Sequence, residues 1–182
     1  MLFNILGCYM VVVQMASPYQ LPKHKLQSSI NTCMEITYEA ELQGAEYLRG
    51  VYLAVAWQES RFTMDAKGKW LCTGKGRVVQ GRKSTPRCTS GKLTRARGPM
   101  QILPVYHCKG ETECDYLGKS VSLLSSLVSD HGVQKGLEIY AGGFSGSNRA
   151  KRYARMTLWR ARKIDATLDM LWDISERLGL KS

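Results

Sequence analysis

Between Ala66 and Gly110 the chain has no aspartate or glutamate, yet eleven lysines and arginines fall in that stretch. A second stretch without acids, Arg149 to Lys163, holds seven more basic residues. The net charge of +11 is thus concentrated in clusters. Charge of one sign gathered this way favours polyanionic partners, namely nucleic acid, anionic lipid or an anionic cell-wall polymer. A solvated basic face is the alternative that charge alone leaves open. No C-x-x-C pair occurs, and the C-x5-C spacing of Cys108 and Cys114 beside His107 is a poor match to structural zinc. No metal or cofactor is therefore expected. Internal repeats and low-complexity tracts are also missing, and no apolar run is long enough to span a bilayer.

The six cysteines stand at 8, 33, 72, 88, 108 and 114. Cys72, Cys88, Cys108 and Cys114 bracket glycine-bearing and basic loops, which suggests loop staples formed in an oxidising, extracytoplasmic compartment. Four cysteines allow three connectivities; Cys72 with Cys88 and Cys108 with Cys114 is the most local choice. The apolar core of residues 1–22 has the length of a secretory signal. It lacks a preceding Lys or Arg, however, and a cut after Ala16 would put Gln14 at the minus-three position. A cleaved signal and an N-terminal packing segment both remain open.

At 182 residues, with 44% hydrophobic and 23% charged content, the chain has the composition of a soluble globular protein and the length of one domain, here residues 23–182. Leu26, Ile30, Cys33, Met34 and Thr37 recur at helical spacing between Lys25 and Leu42. A second helix is expected from Glu46 to Ser60, apolar on most faces and therefore central. Residues 67–98 carry several glycines and Pro86 with little apolar periodicity, so a long loop or small hairpin pinned by cysteines is expected, with the basic insert at about 67–97. Pro99 suits the start of a short helix over Met100 to Tyr106. Further helices are expected over Lys119–His131 and Gln134–Ala141. The last should start near Ser147 or Asn148 and run to about Leu178, with Tyr153, Met156, Trp159, Leu168, Leu171 and Trp172 turned inward. The fold class is mainly α.

The stretch "AVAWQESRFTMDA", residues 54–66, ends an apolar run on the carboxylate of Glu59. A carboxyl in apolar surroundings keeps its proton to higher pH, as a general acid must. The structural alternative is an ordinary cap or ion-pair residue. Met100 and Ile102 read equally well as core, and Tyr140 and Tyr153 as packing tyrosines.

Three motifs occur in order: "QESRF" ending a buried helix, "ARGPMQI" after the basic loop, and "LEIYAGG" ending a later helix. Together, over about residues 27–160, they resemble the catalytic domain of the soluble-type lytic transglycosylases, which implies a lysozyme-like single domain that cuts peptidoglycan. The resemblance makes Glu59 the catalytic acid and Ser60, Met100, Gln101, Tyr140 and Tyr153 substrate-binding residues. Phe62 and Ala66 fall on its packing positions, and Pro99 replaces a leucine. It departs at Ala141, where the family has asparagine, and in the longer gap between Glu59 and Gly98. The implied reaction uses no cofactor and no second carboxylate, acts on glycan strands, and releases a 1,6-anhydro product. Implied settings are a bacteriophage virion or a secretion apparatus, with their proteins as partners. Two rivals stay beside it: a hydrolase resembling goose-type lysozyme, drawing on acids such as Asp65, Glu111, Glu113 or Asp115, and a non-catalytic basic protein that binds DNA or packs in a virion.

Overall fold

Helix α3 (Arg49–Ser60) sits at the centre, with every residue from Gly50 to Trp57 buried. Its sequence, apolar on every side, allows no solvent face, so other helices must cover it. A one-turn 3-10 segment, Glu46–Leu48, leads into it. The computed structural model describes residues 2–17, 21–73, 75–79, 85–109 and 111–179. They form one mainly helical domain of seven α-helices and four short strands.

The longest element, α7 (Asn148–Arg177), packs on α3 through a buried stripe that begins with small residues. Ala150, Ala154, Thr157, Ala161, Ile164, Leu168 and Leu171 follow steps of three and four and are all buried. Ser147 caps the helix by accepting the Ala150 N–H. Met156, Trp159 and Trp172, expected to face inward, are 40%, 52% and 52% exposed instead. They fall outside the buried stripe, on the other faces of the helix. Leu48 gives α3 no side-chain cap. Asp165 of α7 accepts the Gly50 N–H there, and a Cβ on Gly50 would lie 2.1 Å from the Asp165 Oδ1. A carboxylate from one helix thus satisfies an orphan donor at the start of another.

Helices α5 (Tyr116–His131) and α6 (Val133–Gly142) form a hairpin through Gly132 and pack on each other, with α6 against α7. Helix α2 (Lys23–Leu42) lies against α1 (Leu2–Ala16), α3 and α5. Helix α1 buries Cys8, Val11, Val12, Met15 and Ala16 against α2 and α7, while Ile5, Leu6, Tyr9 and Val13 are exposed. Cys8 is bonded to Cys33 of α2, with the Cα atoms 5.7 Å apart. Among the described residues no helix is long and apolar enough to cross a membrane.

The basic insert is two antiparallel ribbons. Strand β1 (Lys67–Cys72) pairs with β4 (Leu93–Arg97), and β2 (Val78–Val79) with β3 (Arg87–Cys88). Cys72–Cys88 ties the two ribbons together, and Cys108–Cys114 closes the segment before α5. These are the local pairings. Three disulfides suit a secreted or extracytoplasmic protein. Arg82 and Lys83, in the middle of the basic cluster, lie outside the described residues.

The helix expected over Met100–Tyr106 is replaced by a turn, and only α4 (Pro104–His107) is helical. Gly98 and Gln101 both have left-handed backbone, φ 77° and 59°, and Arg97 bridges to Ile102. A Cβ at Gly98 would also stand 2.7 Å from the Cβ of Tyr116. Such a path cannot continue as a right-handed helix.

Candidate active site

Where α3 ends, the chain reverses through two left-handed residues, Arg61 and Phe62, with φ 57° and 56°. Phe62 is buried against Trp57, and Arg61 donates to the Trp57 carbonyl. The Ser60 hydroxyl donates to the Ala56 carbonyl and accepts the Thr63 N–H, so it serves the turn. Glu59 is thereby fixed on the last turn of a rigid helix, partly buried. Burial raises its carboxyl above the usual range, and the Tyr153 hydroxyl and then Arg149 oppose that rise.

Glu59 opens into a cleft of about 230 Å³ that Gln101, Tyr140 and Ala141 also line, with Leu71, Ala96 and His107 completing the walls. The Tyr140 hydroxyl donates to the Met100 carbonyl at 2.6 Å and is held un-ionised by burial and by Glu59. Met100 itself is wholly buried, so only its backbone serves the site. The Gln101 amide nitrogen donates to the carbonyls of Gly98 (2.8 Å) and Ala66 (3.2 Å), which locks the turn to the base of the ribbon. A Cβ on Gly68 would crowd the Gln101 Oε1 at 2.6 Å, so the glycine leaves room for that side chain.

Tyr153 stands on the other side of Glu59. Its hydroxyl faces the Glu59 carboxyl and the Thr157 hydroxyl but meets neither in a well-aligned hydrogen bond. Among the described residues the Tyr153 and Thr157 oxygens are buried without a partner. Buried polar atoms are nearly always paired, so an unpartnered hydroxyl facing the Glu59 carboxyl is unusual.

Compared with known protein families, curated proteins and solved structures, this chain matches none.

The structure brings Glu59, Gln101 and Tyr140 into one cleft and sets Tyr153 behind the acid, while Ser60 and Met100 support the backbone. Among the described residues no other carboxylate lines this cleft. Asp65 and Asp115 line a separate cavity with Glu35, Asp115 also caps α5, and Glu111 pairs with Lys119 at 2.8 Å. His107 is the cleft residue that sequence reasoning weighed only for zinc. Burial and Lys119 lower its pKa, so the neutral ring faces the cleft near pH 7.

Proposed function

We propose that this protein is a peptidoglycan lytic transglycosylase of lysozyme-like fold. The observation that carries the reading is Glu59: a carboxyl on a helix end, raised by burial, beside Tyr140 and Tyr153, in a cleft that no second acid lines among the described residues. Protonated Glu59 delivers its proton to the glycosidic oxygen between muramyl and glucosaminyl sugars, and the C1–O bond breaks. The carbonyl oxygen of the muramyl N-acetyl group bonds C1 in place of a second carboxylate. The C6 hydroxyl then attacks C1, the acetamido bond opens, and Glu59 takes the hydroxyl proton. The products are a free 4-hydroxyl and a 1,6-anhydro ring, with Glu59 again protonated.

Tyr140, Gln101 and the Met100 carbonyl shape the sugar subsite beside the acid. Ala141 offers no amide for the acetamido group, and the neutral His107 ring is a donor in the same cleft. Stapled ribbons, a compact domain and an oxidising setting suit local wall penetration, by a virion or during assembly of a secretion apparatus. The basic clusters also favour an anionic wall polymer or nucleic acid as a surface partner.

Digestion of purified peptidoglycan followed by mass spectrometry tests the proposal. Muropeptides one water lighter than hydrolytic products are expected, and Glu59→Gln should lower their yield by about two orders of magnitude or more. Reducing-end products would assign the goose-type hydrolase instead. Unchanged yield from Glu59→Gln would remove the assignment of the acid.

A further inference from the structure

Helix α7 turns an apolar row outward. Met156, Trp159, Lys163, Met170, Ile174 and Arg177 follow steps of three, four or seven residues and are all exposed. The acids of this helix, Asp165, Asp169, Asp173 and Glu176, form a separate row at the same kind of spacing. Thr167, midway along the apolar row, donates its hydroxyl to the Gln14 side chain of α1 at 3.1 Å. Helix α1 packs on α7, bears no charged residue, and exposes Leu6, Tyr9 and Val13. A cavity of about 300 Å³ opens between the two helices. Met15 and the buried Trp57 line it with Met156, Trp159 and Lys163, and Arg160, which donates to Gln58, completes the edge. From Trp172 to Gly179 no residue is buried, so the end of α7 projects from the body with Trp172, Ile174 and Leu178 exposed.

Apolar surface facing water is costly, and a run of it along two helices marks a binding surface. The charges on it decide the partner. Lys163 stands in the middle of the row, its ammonium 4.0 Å above the Trp159 ring. Interfaces between proteins are poor in lysine at their centres, where a charge loses its water. A lipid headgroup layer keeps that charge hydrated and supplies phosphate, while tryptophan and aliphatic side chains reach the acyl boundary beneath it. A second copy of this face would bring cations of the same sign together. An anionic bilayer complements both the apolar and the basic members of the row. Among the described residues no helix is long and apolar enough to cross a membrane, so the contact is with its surface.

We infer that the exposed row of α7, with α1 packed against it, is a docking face for the surface of an anionic phospholipid bilayer. The inference is independent of the reaction at Glu59. It adds a membrane-surface position to the extracytoplasmic setting that the disulfides suit.

The test is co-sedimentation of the full chain with phosphatidylcholine vesicles, with and without about one-third phosphatidylglycerol. The anionic vesicles should bind the protein, and added salt should weaken that binding without abolishing it, because part of it is apolar. Trp159→Ser with Ile174→Ser should lower the partition about tenfold or more. Lys163→Gln should lower it about fivefold. Lys69→Gln, the same charge change on β1, should alter it by less than about twofold. All four positions are exposed, so an unchanged circular-dichroism spectrum and melting point verify the fold. Full binding by the Trp159 and Ile174 double variant would overturn the docking face. Equal losses from Lys163→Gln and Lys69→Gln would overturn it too, since net charge alone would then account for binding. So would a wild-type chain that ignores anionic vesicles, or a dimer in sedimentation equilibrium that the double variant abolishes, which would give the face to a second copy.

Discussion

Helix α3 buries eight consecutive residues, whereas in the ribbons between Lys67 and Arg97 Thr94 alone is buried among the described residues. Both regions wall the same cleft, α3 through Glu59 and the ribbons through Leu71 and Ala96. Packing holds the acid, while backbone pairing and the Cys72–Cys88 bond hold the facing wall. In the proposed reaction the acid must meet one oxygen and needs a rigid mount, because a small displacement costs much of its effect. A wall that only flanks the proposed glycan strand has no such demand.

The largest test of that contrast is Leu53→Ala in α3, where the side chain is 1% exposed. Truncation there should cost about 2–5 kcal/mol in denaturant unfolding. Leu71→Ala on β1, 45% exposed, should change stability by no more than about 0.5 kcal/mol. Comparable losses at the two sites would erase the distinction.

Next in size is the paired change Cys72→Ser with Cys88→Ser. A loop of this length stabilises by roughly 3 kcal/mol in the chain-entropy model. Here the effect should fall on the ribbons, seen as faster hydrogen exchange in β1 and β4 with α3 unchanged. Acceleration spread evenly through α3 would show that the staple supports the whole fold.

The smallest effect concerns Glu59 itself. Burial raises its folded pKa above the unfolded value of about 4.3. The stability it contributes is fully present below the unfolded pKa and is lost as pH rises through the folded one. Glu59→Gln, which never ionises, should therefore melt above wild type at pH 7 and match it near pH 4. Equal melting at pH 7 would mean that the acid is not held at a cost.

Much of this was legible in the sequence for local reasons. Helix α3 announced itself because apolar residues on every face leave only the centre as a home. The caps of α7 and the pairings Cys72–Cys88 and Cys108–Cys114 depend on near neighbours. What escaped depends on three dimensions. Cys33 read as one position of a helical stripe and Cys8 as part of the apolar N-terminal segment, and only the docking of α1 on α2 joins them. The turn at Gly98–Gln101 needs positive φ at a glutamine, which no periodicity signals. Met156 and Trp159 looked like core because they are large, but alanines define the contact face of α7. The arginine cluster on α7 was visible as charge.

The ribbons leave the helical body and return to it at one point. Lys67 pairs with Arg97, and the Gly98 N–H reaches the Ala66 carbonyl at 3.1 Å. A segment whose ends already touch can lengthen, shorten or be replaced at little entropic cost, since closing a longer loop adds slowly to its penalty. By that measure the insert is a cassette. Exchanging it would reshape one wall of the cleft while α3, α6 and α7 keep Glu59, Tyr140 and Tyr153 where they are.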